Sequence, residues 1–122
     1  MQRILVVDDN VHVADVMAKS LADYDVVLAH SGEDALALVV PGASIDLVIT
    51  DYLMPSMTGD ELLGRLRARR PHLKALIVTG HSDVLDNERP TWWATQPRLG
   101  KPFTVASLRE SVSSLIGPPS MP

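Results

Sequence analysis

Five residues in this chain have types and spacings suited to chemistry. Asp8 and Asp9 stand together after the apolar run Ile4-Leu5-Val6-Val7. Asp51 closes Leu47-Val48-Ile49-Thr50, Thr79 closes Ala75-Leu76-Ile77-Val78, and Lys101 stands directly before Pro102. Carboxylates held a few ångströms apart in a partly buried site repel one another. The remedies are protonation, a cation or a lysine. Hard oxygen donors with open coordination positions suit Mg²⁺ (Mn²⁺ is a second fit), which keeps several waters and takes one or two carboxylates plus a phosphate. An aspartate carboxylate is a competent nucleophile toward phosphorus. The Lys101 ammonium and the Thr79 hydroxyl would each meet an oxygen of a phosphoryl group in transit.

Such residues must be brought together by the elements that carry them. The runs at residues 4–7, 26–29, 47–50 and 75–78 are short and rich in β-branched residues. They do not alternate, as expected of strands covered on both faces. A fifth short strand is placed at Arg98-Leu99-Gly100 mainly by position. Between the runs lie helical patterns. Ala14, Met17, Ala18 and Leu21 repeat at helical spacing. Ser31 caps a helix carrying Ala35, Leu36 and Val39. Thr58-Gly59-Asp60-Glu61 reads as a capping box opening a helix with Leu62, Leu63 and Leu66 inward. Its later arginines Arg65, Arg67, Arg69 and Arg70 read as a solvated face that also suits the helix dipole. Thr104 caps a last helix with Val105, Leu108, Val112, Leu115 and Ile116 on one side, stopped by Gly117-Pro118. Met17, Met54 and Met57 read as gap-fillers near the core. Strand–helix alternation of this kind predicts right-handed βαβ units and a doubly wound parallel sheet with helices on both faces. Its crevice lies at the carboxyl ends of the strands, where all five polar residues fall.

Composition narrows the function. The chain has 122 residues, enough for one domain, with 46% hydrophobic and 21% charged residues. Residues 1–117 read as that domain and 118–122 as a tail or linker start. The absence of cysteine excludes a disulfide framework, a cysteine-ligated metal site and a cysteine nucleophile. A net charge of −4 argues against binding nucleic acid through its phosphates. No run approaches the roughly 18 apolar residues of a membrane span. The N-terminus lacks a signal-peptide pattern, so a cytoplasmic protein is expected. His12, His30 and His72 are scattered and are not read as ligands.

Taken in order, these residues resemble a response-regulator receiver domain of two-component signalling, from Ile4 to Ile116. The resemblance rests on Asp8-Asp9, on Asp51-Tyr52-Leu53-Met54-Pro55 with Gly59 eight residues beyond Asp51, on Thr79-Gly80, and on Lys101-Pro102-Phe103. It implies a flavodoxin-like sheet of order 2-1-3-4-5. It implies that Asp51 accepts a phosphoryl group from a sensor histidine kinase or a phosphotransfer protein. Asp9 would ligate Mg²⁺ directly, Asp8 largely through water, and the Leu53 backbone carbonyl would be a further ligand. Thr79 would bond the phosphoryl group, and Lys101 would pair with Asp51 before phosphorylation and with the phosphoryl group afterwards. The Lys101–Pro102 bond would be cis. Leu53 and His81, each two places beyond a key residue, would tune hydrolysis; an apolar Leu53 cannot hold an attacking water, so a phosphoryl lifetime that is not especially short is expected. Homodimerisation is common in the family, and the downstream target is unknown.

Two departures stand out. The family carries an aromatic three residues before the lysine, and here that place holds Arg98, whose charge cannot enter the same apolar pocket. An outward Arg98, over Trp92 or Trp93 or against a partner, is expected instead. The segment Ser82 to Pro97, where the family has its fourth helix, contains Pro90 and Pro97 and predicts a short or irregular helix. The pair Trp92-Trp93 reads either as core packing with one ring shielding the other, or as a partner surface. Two other functions remain open. One is an interaction module that does not depend on phosphorylation. The other is a Mg²⁺-dependent phosphohydrolase, disfavoured because Leu53 stands where a second acid/base aspartate is wanted; a non-enzymatic signalling switch is the expectation.

Overall fold

The structure is a computed structural model that describes residues 2–80 and 96–119. His81, Trp92, Trp93 and most of the segment expected to hold the irregular helix lie outside the described residues. The elements run β1 (Arg3–Val7), α1 (Val11–Ser20), β2 (Asp25–Ala29), α2 (Gly32–Leu38), β3 (Leu47–Thr50), α3 (Gly59–Arg69), β4 (Lys74–Thr79), β5 (Arg98–Gly100) and α4 (Val105–Ile116). All strand pairs are parallel and the order is β2-β1-β3-β4-β5. Among the described residues no helix is long and apolar enough to cross a membrane.

The central strands are buried on both sides because each side packs a separate core. Ile4 and Val6 of β1 meet Met17 and Leu21 at the end of α1, Leu47 and Ile49 of β3, and Leu108 and Val112 of α4. Leu5 and Val7 point the other way, into Ala35, Val39, Leu62, Leu63 and Leu66 around α2 and α3. A two-residue period thus sends one strand into two cores, which is why residues 4–7 of β1 are all apolar. Met17, Met54 and Met57 are buried among these side chains. The edge strand β2 departs from this expectation: Val26 and Val27 are only half-buried and Leu28 is exposed, since one flank of β2 has no neighbour.

Helix ends follow their caps. Asn10 opens α1, its side chain accepting from the His12 and Val13 N–H groups, and Ser31 opens α2 by accepting from Asp34. Thr104 and Ser107 form a reciprocal box at α4, and Gly117, at φ +82, ends it. The capping box expected at Thr58 is not formed. Its hydroxyl donates instead to Asp60 Oδ1 at 2.6 Å and Glu61 Oε1 at 3.2 Å, so it does not accept from the third-position N–H. The acidic residues of that first turn still suit the helix dipole. Val105 is exposed rather than inward, because it opens α4 beyond the edge of the core. Nor are the α3 arginines a purely solvated face. Arg69 donates to the Leu36 and Val39 carbonyls and Arg70 to that of Val40. They serve the end of α2, which has no basic residue in its own last turn.

Candidate functional site

The sheet register brings the polar residues together. Val7 pairs with Thr50, Thr50 with Ile77, and Thr79 with Gly100, so the residue following each strand emerges along one edge. Main-chain bonds carry the ladder one step further. Asp8 N–H donates to the Ala29 carbonyl, Asp51 N–H to that of Val7 and Lys101 N–H to that of Thr79, each at 3.0–3.1 Å. The backbones of Asp8, Asp51 and Lys101 are thereby fixed before any side chain acts.

Asp8, Asp9 and Asp51 each present an oxygen within 4.8 Å of the others. Asp8 is fully buried, Asp51 nearly so, and Asp9 is exposed. Lys101 Nζ donates to Asp8 Oδ2 at 2.8 Å and to Asp51 Oδ2 at 2.9 Å. Of the three remedies for crowded carboxylates, the lysine is therefore in place between the two most buried ones. Asp8 Oδ1 accepts from the Asn10 N–H at 2.9 Å, and Asp51 Oδ1 from the Tyr52 N–H at 2.7 Å. Burial holds the Asp8 carboxyl above its ordinary pKa, against the bonds from Lys101 and Asn10. Burial also works against the Lys101 ammonium, but its bonds to Asp8 and Asp51 outweigh that and hold it above its ordinary value.

Thr79 is buried at the end of β4, the strand next to β5 and Lys101. The Lys101–Pro102 peptide is cis. Leu53 projects into solvent, 46% exposed, just beyond Asp51. Arg98 is exposed on β5, with Nη1 3.4 Å from the Gln96 carbonyl. His81, Trp92 and Trp93 lie outside the described residues. His12, His30 and His72 are exposed, and His30 Nδ1 lies 3.2 Å from the Asp8 carbonyl.

The donor set fits a hard divalent cation. All three clustered groups are carboxylates, with no soft donor among them, and one of them faces solvent. Three contributors escaped the sequence reading. The Tyr52 and Asn10 N–H groups hold carboxylate oxygens through the main chain, which no side-chain pattern reports. Thr50, a buried hydroxyl, donates to the Asp51 carbonyl at 2.9 Å. Asn10 alone left a trace, as a capping residue type before a helical run.

Known proteins share this architecture. The family model described as "Response regulator receiver domain" matches residues 4–113. The sensor histidine kinase TmoS of Ectopseudomonas mendocina is 34% identical over 117 residues, covering 93% of this chain and 12% of that protein. The uncharacterized transcriptional regulatory protein YrkP of Bacillus subtilis is 35% identical over 112 residues, 90% of this chain and 47% of its own length. This chain thus spans about half, or much less, of these curated relatives. Among solved structures, the response regulator TrrA of Thermotoga maritima in complex with Mg²⁺-BeF is 32% identical, with a TM-score of 0.81 over 94% of this chain and 99% of that one. A response regulator receiver domain protein from Clostridium thermocellum is likewise 32% identical, with a TM-score of 0.82 over 95% and 94% of the two chains.

Proposed function

Because this chain belongs to the response regulator receiver domain family, we propose that it is a phosphoacceptor switch in which Asp51 takes a phosphoryl group from a histidine kinase or phosphotransfer protein. The observation that carries this reading is the bridge of Lys101 between Asp8 and Asp51 beside an exposed third carboxylate, Asp9. Asp51 Oδ2 forms the new P–O bond while the donor's P–N bond breaks and its electron pair leaves with the histidine nitrogen. Lys101, already 2.9 Å from that oxygen, follows the phosphoryl group and offsets its charge. Thr79 supplies a hydroxyl to another phosphoryl oxygen. Asp8, Asp9, Asp51 and the Leu53 carbonyl would hold Mg²⁺, which when bound neutralises charge on the phosphoryl oxygens.

The remaining assignments belong to the same reading. Residues 1–117 are assigned to the receiver unit and residues 118–122 to a tail or linker start. Leu53 and His81 tune the hydrolysis of the phosphoaspartate. Arg98, with Trp92 and Trp93, contributes to the partner surface that switching alters. The exposure of Arg98 and of Leu53 supports these roles.

Intact mass after incubation with Mg²⁺ and acetyl phosphate tests the proposal. One added phosphoryl group in the wild type and none in Asp51→Asn is expected. Failure of the folded wild type to gain mass, together with no beryllofluoride-dependent shift in its spectrum, would overturn it.

A further inference from the structure

The β3–α3 connection closes on the phosphoacceptor at one point. Gly59, the first residue of α3, donates its N–H to the Tyr52 carbonyl at 2.7 Å. A Cβ built on Gly59 would lie inside van der Waals contact of the Asp51 carbonyl oxygen, with Tyr52 Cα at 3.1 Å and the Asp51 carbonyl carbon at 3.2 Å. Every one of these atoms is backbone, so no side chain can turn aside to make room. The contrast with Gly64, on the same helix, is direct: a Cβ there meets nothing within 4 Å. Gly32 differs again, since its nearest obstacle is the Met57 sulfur at the end of a flexible side chain.

The peptide that Gly59 presses against is the one that orients the Asp51 carboxylate. The Tyr52 N–H belongs to the Asp51–Tyr52 peptide and donates to Asp51 Oδ1. Rotating or displacing that peptide turns the donor away from Oδ1. Oδ2, which faces Lys101, would then lose its alignment as well. The carbonyl oxygen of the same peptide also accepts from the Thr50 hydroxyl at 2.9 Å. We infer that Gly59 is a positioning residue for phosphoryl acceptance: its lack of a side chain lets α3 dock against the Asp51–Tyr52 peptide, and that docking aims the two carboxylate oxygens. The inference rests on the reading of Asp51 as phosphoacceptor, and it assigns a role to a residue that touches no reacting atom.

The test compares Gly59→Ala with Gly64→Ala and the wild type in three readouts. These are the rate of mass gain from acetyl phosphate, the affinity for Mg²⁺ alone, and the amide proton resonance of Tyr52. In the wild type that resonance should lie at low field and move in Asp51→Asn. Gly59→Ala is expected to shift it upfield and to slow loading by about 10²-fold, the cost of a misplacement of about 1 Å. Gly64→Ala should match the wild type in all three. Should Gly59→Ala not fold in buffer, the same measurements are made in trimethylamine N-oxide, which restores compact states by exclusion from the surface. A Tyr52 resonance unmoved in folded Gly59→Ala, or loading reduced only in proportion to the unfolded fraction, would overturn the inference. Absence of loading in the wild type would instead sink the phosphoacceptor reading, while the Tyr52 resonance would still decide whether Gly59 sets the peptide.

Discussion

At the scale of single residues, Asp8 is the most deeply buried of the three clustered carboxylates. Asp8 has no exposed surface, and burial raises its carboxyl pKa. A group whose pKa is higher folded than unfolded adds stability that is full below its unfolded value and is lost as pH rises through its folded one. Without metal, stability attributable to Asp8 should therefore decline from about pH 3.9, the unfolded aspartate value, upward through the raised folded value. Asp8→Asn keeps an acceptor for the Asn10 N–H and leaves Lys101 paired with Asp51. It should flatten that decline and raise stability at pH 7 by about 0.5–2 kcal/mol, the range that single stabilising substitutions commonly reach. Urea unfolding in EDTA across pH 4–8 (a range framed by ordinary carboxylate titration) measures it. A variant less stable than wild type at pH 7 would show that the carboxylate is held at no net cost.

At the scale of elements, the loop between β3 and α3 and the end of α2 carry the informative irregularities. Ser56 has φ 70, a conformation that costs a residue with a Cβ about 1–2 kcal/mol. Ser56→Gly should recover about 1 kcal/mol or somewhat less, because glycine also loses more chain entropy; thermal unfolding with matched Asp51 loading would check that the loop keeps its shape. Arg69 bonds two carbonyls at the end of α2 from a neighbouring helix. Arg69→Ala should cost about 0.5–1.5 kcal/mol, the net worth of such hydrogen bonds, and should raise amide exchange in α2 more than in α1. Equal exchange in both would leave Arg69 a surface charge. These features also mark where the sequence was hard to read. The apolar runs at residues 4–7, 47–50 and 75–78 announce their strands because both faces of each are covered, and Asp8, Asp51 and Thr79 then fall at one sheet edge by counting. The Thr58 hydroxyl could accept from a backbone N–H or donate to a carboxylate, and residue types alone do not choose. The arginines of α3 find carbonyls some 30 residues away in the chain, a pairing that only the packing of α2 against α3 supplies. The Tyr52 N–H and the close approach of Gly59 are main-chain events, so no side-chain spacing encodes them.

At the scale of the whole molecule, two cores on opposite faces of one sheet bring residues from positions 8, 9 and 51 to one edge. The unfolded chain holds Asp8 and Asp9 far from Asp51 and has no comparable site. A cation that binds only the folded form stabilises it by RT ln(1 + [L]/Kd), about 2.7 kcal/mol at a hundredfold excess over Kd. For a domain between the 100- and 150-residue classes, that corresponds to a rise of very roughly 10 °C in the unfolding midpoint. The midpoint should climb with the logarithm of Mg²⁺ concentration once the site saturates, and return to its starting value in EDTA. Asp9 is the residue that isolates this effect, because it is the one exposed carboxylate of the cluster and has no part in the Lys101 bridge. Asp9→Ala should leave metal-free stability within about 0.5 kcal/mol of wild type, as surface substitutions do, while abolishing the Mg²⁺-dependent rise. A retained rise would mean that Asp8 and Asp51 suffice to hold the ion. An equal rise with Na⁺ at matched ionic strength would mean that screening of the acidic edge, and not a coordinated cation, stabilises the fold.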